Sequence, residues 1–464
     1  MDETPQDHAP DVAAARLAET YREVEDALLS RWPETKLDPT LDRIEAFMEL
    51  LGDPQRTYPA IHLTGTNGKT STARMIEALI VAAGLRVGRF TSPHLESMTE
   101  RISLDGRPLD EEAFVRAFND VAPYTHLVDA EHDHPLSFFE TVVAMAYAAF
   151  ADAPVDAAVV EVGMGGAWDA TNVIDAKVAV LTPIDVDHAK YLGETPAAIA
   201  VEKVGIIKSG ASVVCAVQPD EVMALVVERC AEVGATLLRE GIDFGVATRV
   251  PAVGGQVMAL QGARGTYEDV FMPIYGAHQA QNASLALAAV EVFLGGDDPL
   301  DGELVSEAFG EVTSPGRLEI IRRSPTIVLD AAHNPHGAAA TVAALEDSFT
   351  FSPLIGVIGV MADKDYEGLL SEFEPALAHV VCTQNSTERA MPAAELAEVA
   401  RGIFGRDRVS ETDSIADAID QAAALAEAGG VFGEAIGSGG VLVTGSVVTV
   451  GEARAMLRSR REHS

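Results

Sequence analysis

The hydrophobic positions of this chain fall first into a helical rhythm and then into alternating strand and helix lengths. In VAAARLAETYREVEDALLSRW (residues 12–32), Leu17, Tyr21, Val24 and Leu28 share one stripe, which predicts a helix ended by Pro33. A second short helix is expected in LDRIEAFMELLG, closed by Gly52. YPAIHLTG then reads as a strand, residues 70–83 as a helix stopped by Gly84, and LRVGRFTSP as a second strand entering a loop. SFFETVVAMAYAAFA has helical length and spacing, whereas VDAAVVEVG, KVAVLTPI and ASVVCAV are apolar runs without polar alternation, the mark of strands covered on both faces. Strands alternating with helices predict an α/β fold with a mostly parallel sheet. Between about 240 and 275 short Gly-rich segments break the rhythm, and a small β insertion is expected. A second α/β block follows the turn-rich TSPGRLE, with strand-like TIVLDAAHNP, LIGVIGVM, AHVVCTQ and GGVLVTGS. The organisation read from this pattern is a tail and lead-in helix over 1–40, a large domain over 41–313 and a smaller Rossmann-like α/β domain over 314–464, with residues 1 to about 12 disordered.

Composition narrows the partners. Lys and Arg number 33 against 71 Asp and Glu, a net charge of −38, so nucleic acid and anionic membranes are disfavoured. No apolar run is long enough to span a bilayer, and the acidic start MDETPQDHAPDV lacks the basic and apolar regions of a signal peptide. Cys215, Cys230 and Cys382 are far apart with no CxxC, which argues against a disulfide framework or thiolate zinc site and suits a reducing cytoplasm.

The chemistry concentrates at strand ends. HLTGTNGKTST places GTNGKTS between a strand and a helix. Around Gly65 to Gly68 the backbone N–H groups can turn inward, the helix N-terminus adds partial positive charge and Lys69 a full one. Thr70 or Ser71 can reach a magnesium ion. The usual phosphate loop has four residues between its glycines and this one has two, Thr66 and Asn67. An ordinary turn capping a helix is the alternative, and the strand-before, helix-after context favours a nucleotide. No asparagine precedes a lysine, so a guanine-reading Asn-Lys-x-Asp is absent. GMGGAW begins like a dinucleotide fingerprint but carries Trp168 at its third glycine position. Glu161 ends one apolar strand, Asp187 and His188 follow another, and Lys203 lies nearby in sequence. Glu161 with His188 suits a partly solvated magnesium or manganese, while a core or loop histidine and a Lys203–Glu202 ion pair are the plain alternatives. Asp330 and His333 sit in IVLDAAHNPHG, where Pro335 between His333 and His336 argues for a loop rather than a metal site. EHDHP (131–135) reads as a solvated loop, and Arg317 stands where it can reach across a domain cleft or form a hinge salt bridge.

Taken in order, the motifs GTNGKTS, TSPHLESMTERI (91–102), SFFE (137–140), EVGMGGAWDATNV (161–173), Asp187-His188, EKVGIIK (202–208), GAHQAQNASLA (276–286), SPGRLE (314–319), DAAHNP (330–335), MADKD (361–365) and VTGS (443–446) resemble the folylpolyglutamate synthase / dihydrofolate synthase family of the Mur ligase superfamily. The resemblance implies a phosphate-loop ATPase domain followed by a Mur ligase-like C-terminal domain. It implies an ATP-dependent amide ligase that joins L-glutamate to dihydropteroate or to the γ-carboxylate of a reduced folate through an acyl phosphate. By that resemblance Thr66, Asn67, Gly68, Lys69, Thr70, Ser71, Asn282, Arg317, Asp330 and His333 would bind the nucleotide. Ser92, Glu161, His188 and Lys203, the last as a carbamate, would hold Mg2+ or Mn2+, with a monovalent cation such as K+ as a further cofactor. Lys69, Glu161, His188, Lys203 and His333 would serve the chemistry, and Thr91, Ser92, Pro93, His94, Phe138 and Asp169 the acceptor substrate, in a cytoplasmic monomer. Three departures stand out: Thr70 where the folate enzymes commonly carry glycine, Ala167 where arginine is frequent, and Ala331 in place of the glycine of DGAHNP. The competing readings are a Mur-type ligase with another carboxylate acceptor, disfavoured by the short lead-in before Gly65, and a nucleotide-binding regulator without catalysis.

Overall fold

The structure is a computed structural model that describes residues 18–33, 36, 38–428 and 438–462. Its first sheet contains β1 (Ala60–Thr64), β2 (Val87–Phe90), β3 (Ile102–Leu104), β4 (Arg107–Pro108), β5 (Ala157–Glu161), β6 (Val178–Leu181), β7 (Ser212–Cys215) and β8 (Thr236–Arg239), in the order β4-β3-β2-β5-β1-β6-β7-β8. From β2 to β8 in that order the strands are parallel, and β3 and β4 add an antiparallel edge. The apolar runs become these strands because both faces are covered. Ile61, Leu63, Ala157 and Val159 point into one core with the helices Lys69–Ala82, Ala277–Leu294 and Gly302–Glu311. Ala60, Ala158 and Val160, one residue out of step, point into another with the helices Asp42–Leu50 and Phe138–Asp152. Each fully buried Val, Leu or Ile there contributes about 1.5–3 kcal/mol.

The expected β insertion is a three-stranded antiparallel sheet of β9 (Gly245–Ala252), β10 (Gly255–Gln261) and β11 (Thr266–Met272). The second α/β block holds β12 (Glu319–Arg323), β13 (Thr326–Leu329), β14 (Phe351–Ile358), β15 (His379–Cys382), β16 (Val409–Glu411) and β17 (Ser438–Thr444), ordered β12-β13-β17-β14-β15-β16. Only β12 runs antiparallel to its neighbour.

One local expectation needs correction, and two elements carry no expectation from the sequence. The lead-in helix is Tyr21–Leu29 rather than a run to Pro33, and Leu17 and the expected tail lie outside the described residues. Its start is set by Thr20, whose side chain accepts from the Glu23 N–H while the Glu23 carboxylate accepts from the Thr20 N–H. The helix Glu111–Glu131 escaped the sequence reading; it carries Pro123 in its interior, a residue that ordinarily argues against continuing a helix. β12 follows directly on the turn-rich TSPGRLE and was not read as a strand.

The two α/β units touch along a seam. Asn67 Nδ2 donates to Asn334 Oδ1 at 3.3 Å, the Ser71 and Ser314 hydroxyls lie 3.1 Å apart, and Lys364 Nζ donates to Asp187 Oδ1 at 2.6 Å. Arg454 Nη1 reaches Glu96 at 2.8 Å, and Arg249 pairs with Asp347.

Candidate active site

β1, β5 and β6 lie side by side, so the loops leaving their C-terminal ends share one crevice, the place where open α/β sheets hold ligands. Leu63 registers with Glu161 and Thr64 with Leu181, which fixes where each loop begins. The loop after β1 is tight. Gly65 has φ +146° and Gly68 φ +90°; a Cβ on Gly65 would lie 1.9 Å from Thr182 Oγ1, and one on Gly68 2.6 Å from Asn282 Oδ1. Thr66 anchors the loop to β6's exit by donating to Asp185 O at 2.7 Å and accepting from Asp185 N at 3.0 Å. The helix Lys69–Ala82 starts directly after Gly68.

A cavity of about 120 Å³ opens there, walled by Gly65 through Ser71, Ser92, Pro93, Glu161, Gly163–Gly165, Asp187, His188, Leu192, Lys203, Arg317, His333 and Val447. Its charges are arranged for an anion. Lys203 Nζ donates to Gly65 O at 2.7 Å, and Lys69 Nζ donates to the same carbonyl at 3.1 Å and to Thr66 O at 3.2 Å. Burial, with Lys69 alongside, brings Lys203 down to about 7; burial also lowers Lys69, against the pull of Glu161 and Asp187. Two desolvated amines on one carbonyl gain from any phosphate oxygen that enters.

Opposite them, Glu161 is 1% exposed. Its carboxylate accepts from Thr70 Oγ1 at 2.9 Å and from Ser92 N at 3.3 Å, while burial raises its pKa against Lys69 and these donors. Asp187 gathers the second unit's polar groups: Lys364 Nζ at 2.6 Å, Asn334 Nδ2 at 3.4 Å and His333 Nε2 at 3.5 Å. Burial opposes its ionisation, yet His333, His188 and Lys364 outweigh that and hold the carboxyl below its usual range. Burial lowers His188 to about 4 despite Asp187 beside it, so its imidazole is neutral at pH 7.

Of the residues expected from sequence, Thr66, Asn67, Gly68, Lys69, Thr70, Ser71, Ser92, Pro93, Glu161, His188, Lys203, Arg317 and His333 line the cavity. Six do not. Asn282 packs behind Gly68 and donates to Gln279 at 3.1 Å. Asp330, expected on the nucleotide, is engaged by Leu318 N, Ala332 N and the Thr341 hydroxyl, and so braces the loops around Arg317 and His333. Asp169, expected on the acceptor, holds Met164 N at 2.8 Å and Thr171 N at 3.0 Å, which sets the Gly163–Gly165 wall. Thr91 accepts from Arg89, His94 accepts from Arg101, and Phe138 lies under the Arg101 guanidinium at 4.8 Å. No group of three or more His, Cys, Asp or Glu converges as a metal cluster among the described residues. Lys364 was missed as a site residue, although MADKD follows a strand and so met the same strand-end rule that found Glu161.

This geometry has counterparts. The Mur ligase middle domain matches residues 63–290 and the Mur ligase glutamate ligase domain residues 316–447. Over 453 residues, 94% of this chain and 93% of the relative, the sequence is 49% identical to a dihydrofolate synthase/folylpolyglutamate synthase of Mycobacterium tuberculosis. The chain belongs to the dihydrofolate synthase/folylpolyglutamate synthase family. It is therefore an ATP-dependent ligase on the Mur ligase fold. A structure of Mycobacterium tuberculosis folylpolyglutamate synthase complexed with ADP superposes with a TM-score of 0.91 at 48% identity, covering 94% of this chain and 98% of that one. An Escherichia coli relative solved with DHPP and ADP gives 0.83 at 29% identity, covering 96% and 99%. No helix of the described residues is long and apolar enough to cross a membrane.

Proposed function

We propose that this chain uses ATP to add L-glutamate to dihydropteroate, to the γ-carboxylate of tetrahydrofolate, or to both. The observation that carries this reading is the cationic cavity at the β1, β5 and β6 ends, completed by Arg317 and His333 from the second unit. An oxygen of the acceptor carboxylate attacks the γ-phosphorus and ADP leaves. The acyl phosphate that results is attacked at its carbonyl carbon by the amine of glutamate, and phosphate departs as the amide forms. The protein's part is to hold these groups together and to spread their charge.

The loop N–H groups and Lys69 hold the β- and γ-phosphates, Arg317 adds a positive charge from the far wall, and His333 lines the same wall. The donor set fits magnesium. Glu161 and the Thr70 hydroxyl offer hard oxygens at 2.9 Å from one another. With so few protein ligands, phosphate oxygens and water must supply the rest, as is usual for this ion. Bound there, magnesium would neutralise charge on the transferring phosphoryl group. Burial, with Lys69 alongside, favours the neutral Lys203 amine to which CO2 adds, and its carbamate would supply further oxygens beside Glu161 and His188. Thr91, Ser92, Pro93, His94 and Phe138 form the acceptor side. A cytoplasmic monomer is the working state, which gel filtration tests.

The deciding experiment is phosphate release from Mg-ATP with L-glutamate, giving dihydropteroate to one sample and tetrahydrofolate to another, with product masses read out. Products one glutamate residue heavier support the reading and assign the acceptor. Silence with both, despite ADP binding, overturns it in favour of another carboxylate acceptor or a non-catalytic role.

A further inference from the structure

The phosphate loop and the second unit meet through a chain of amides whose polarity the backbone fixes. Asn334 caps the helix Pro335–Ser348, and its Oδ1 accepts from Gly337 N at 2.7 Å. That contact assigns the Asn334 oxygen, and its Nδ2 points the other way, 3.4 Å from the Asp187 carboxylate. Asn67, between the two glycines of the phosphate loop, pairs with this amide head to tail. Asn67 Nδ2 donates to Asn334 Oδ1 at 3.3 Å, and Asn334 Nδ2 donates to Asn67 Oδ1 at 3.2 Å. The second hydrogen of Asn67 Nδ2 meets His336 Nδ1 at 2.9 Å. An amide nitrogen cannot accept, so Nδ1 is the bare nitrogen of His336 and the ring proton sits on Nε2. Both amide hydrogens of Asn67 are thereby taken by the second unit, and the side chain has none left for a phosphate oxygen. Asn334 and His336 reach the loop itself, whereas Ser314 reaches the helix after it and Lys364 the loop after β6. On its other side the loop is tied to β6's exit, where Thr66 N donates to Pro183 O at 2.9 Å.

We propose that His336 is a positioning residue for the nucleotide: by accepting from Asn67 it clasps the second unit onto the phosphate loop, and so keeps Arg317 and His333 at the cavity they complete. The Asn67 side chain serves this clasp rather than the phosphates. Arg317 and His333 line the same cavity as the loop, and His333 lies three residues before His336, so a clasp at His336 holds the wall that carries them. A second unit that swings away from the loop must be drawn back when nucleotide binds, and affinity falls by the fraction of molecules left open. This role depends on the nucleotide cavity alone and not on which carboxylate the ligase takes.

Calorimetric titration of the full-length protein with ADP tests the clasp, with melting curves to check that each variant is folded. His336→Ala removes the acceptor and is expected to raise the Kd of ADP about fivefold. His336→Asn places an amide oxygen near the position of Nδ1 and should stay within about twofold of the parent. An Asn67→Ala background separates a clasp from a direct contact. There the partner is already gone, so adding His336→Ala should change the Kd by less than about twofold. A histidine that touched the nucleotide itself would weaken binding by the same factor in both backgrounds, and that result overturns the proposal. So does a His336→Ala protein that binds ADP as the parent does, or a His336→Asn protein as weak as His336→Ala.

Discussion

Gly65→Ala is the sharpest test of how the nucleotide cavity is built. At φ +146° the residue occupies a region that side-chain-bearing residues avoid, at a cost of about 1–3 kcal/mol. The added Cβ would also stand 1.9 Å from Thr182 Oγ1 and 2.9 Å from Thr182 O. The hydroxyl can yield, but the carbonyl belongs to the chain leaving β6, where Thr182 N donates to Thr64 O at 2.9 Å, so overpacking adds about 1–3 kcal/mol. The free variant relieves this strain by letting the loop relax, and bound nucleotide must then drive the loop back. Most of the cost therefore falls on affinity: about 3 kcal/mol, or about 100-fold in Kd. Calorimetric titration with ADP measures it, with a melting curve as the control for folding. Thr182→Ala removes the nearer obstacle alone, so Gly65→Ala/Thr182→Ala should recover part of the affinity and retain a loss of about tenfold from φ and the carbonyl. A Gly65→Ala protein that binds ADP within about threefold of the parent would falsify this account of the loop.

Three further outcomes are expected. Lys203→Ala should nearly abolish phosphate release with Mg-ATP, glutamate and the active acceptor, because it removes a buried amine held 2.7 Å from Gly65 O; a near-parental rate refutes its role. Burial, with Lys208 adding to it, brings His62 down from 6.5 to about 3, so the unfolded chain takes up its proton first. The stability this confers is complete above pH 6.5 and lost as pH falls toward 3, about 3 kcal/mol by pH 4, and His62→Gln should flatten that acid limb in denaturation midpoints at pH 4 and 7; an unchanged slope contradicts it. Burial pushes Cys215 and Cys382 up to about 12, so neither should react with iodoacetamide in the native protein at pH 8, and both should react after denaturation; native labelling seen by mass spectrometry counts against the burial.

The elements legible in the sequence are those whose signals are local. The runs AAVVE and VAVL became β5 and β6 because their apolar side chains need cover on both faces, and GTNGKTS became a loop on a helix because glycine alone tolerates its turns. Pro123 hid the helix Glu111–Glu131, since a residue without an N–H looks like a stop when only its neighbours are visible. Asp169 and Asp330 show the limit for the site. A carboxylate in a polar motif reads as a ligand group, and only the fold reveals its structural partners, the backbone N–H groups of Met164 and Thr171 for Asp169 and of Leu318 and Ala332 for Asp330.

Which residues carry charge at strand ends, and therefore the class of chemistry, follows from the order of amino acids alone. Tertiary structure decided which of them meet. Lys203 reaches Gly65 across 138 positions and Lys364 reaches Asp187 across 177. Those meetings depend on strand order and on two sheets coming together at one seam. Burial there sets each group's protonation, because desolvation and neighbouring charge act through space rather than along the chain.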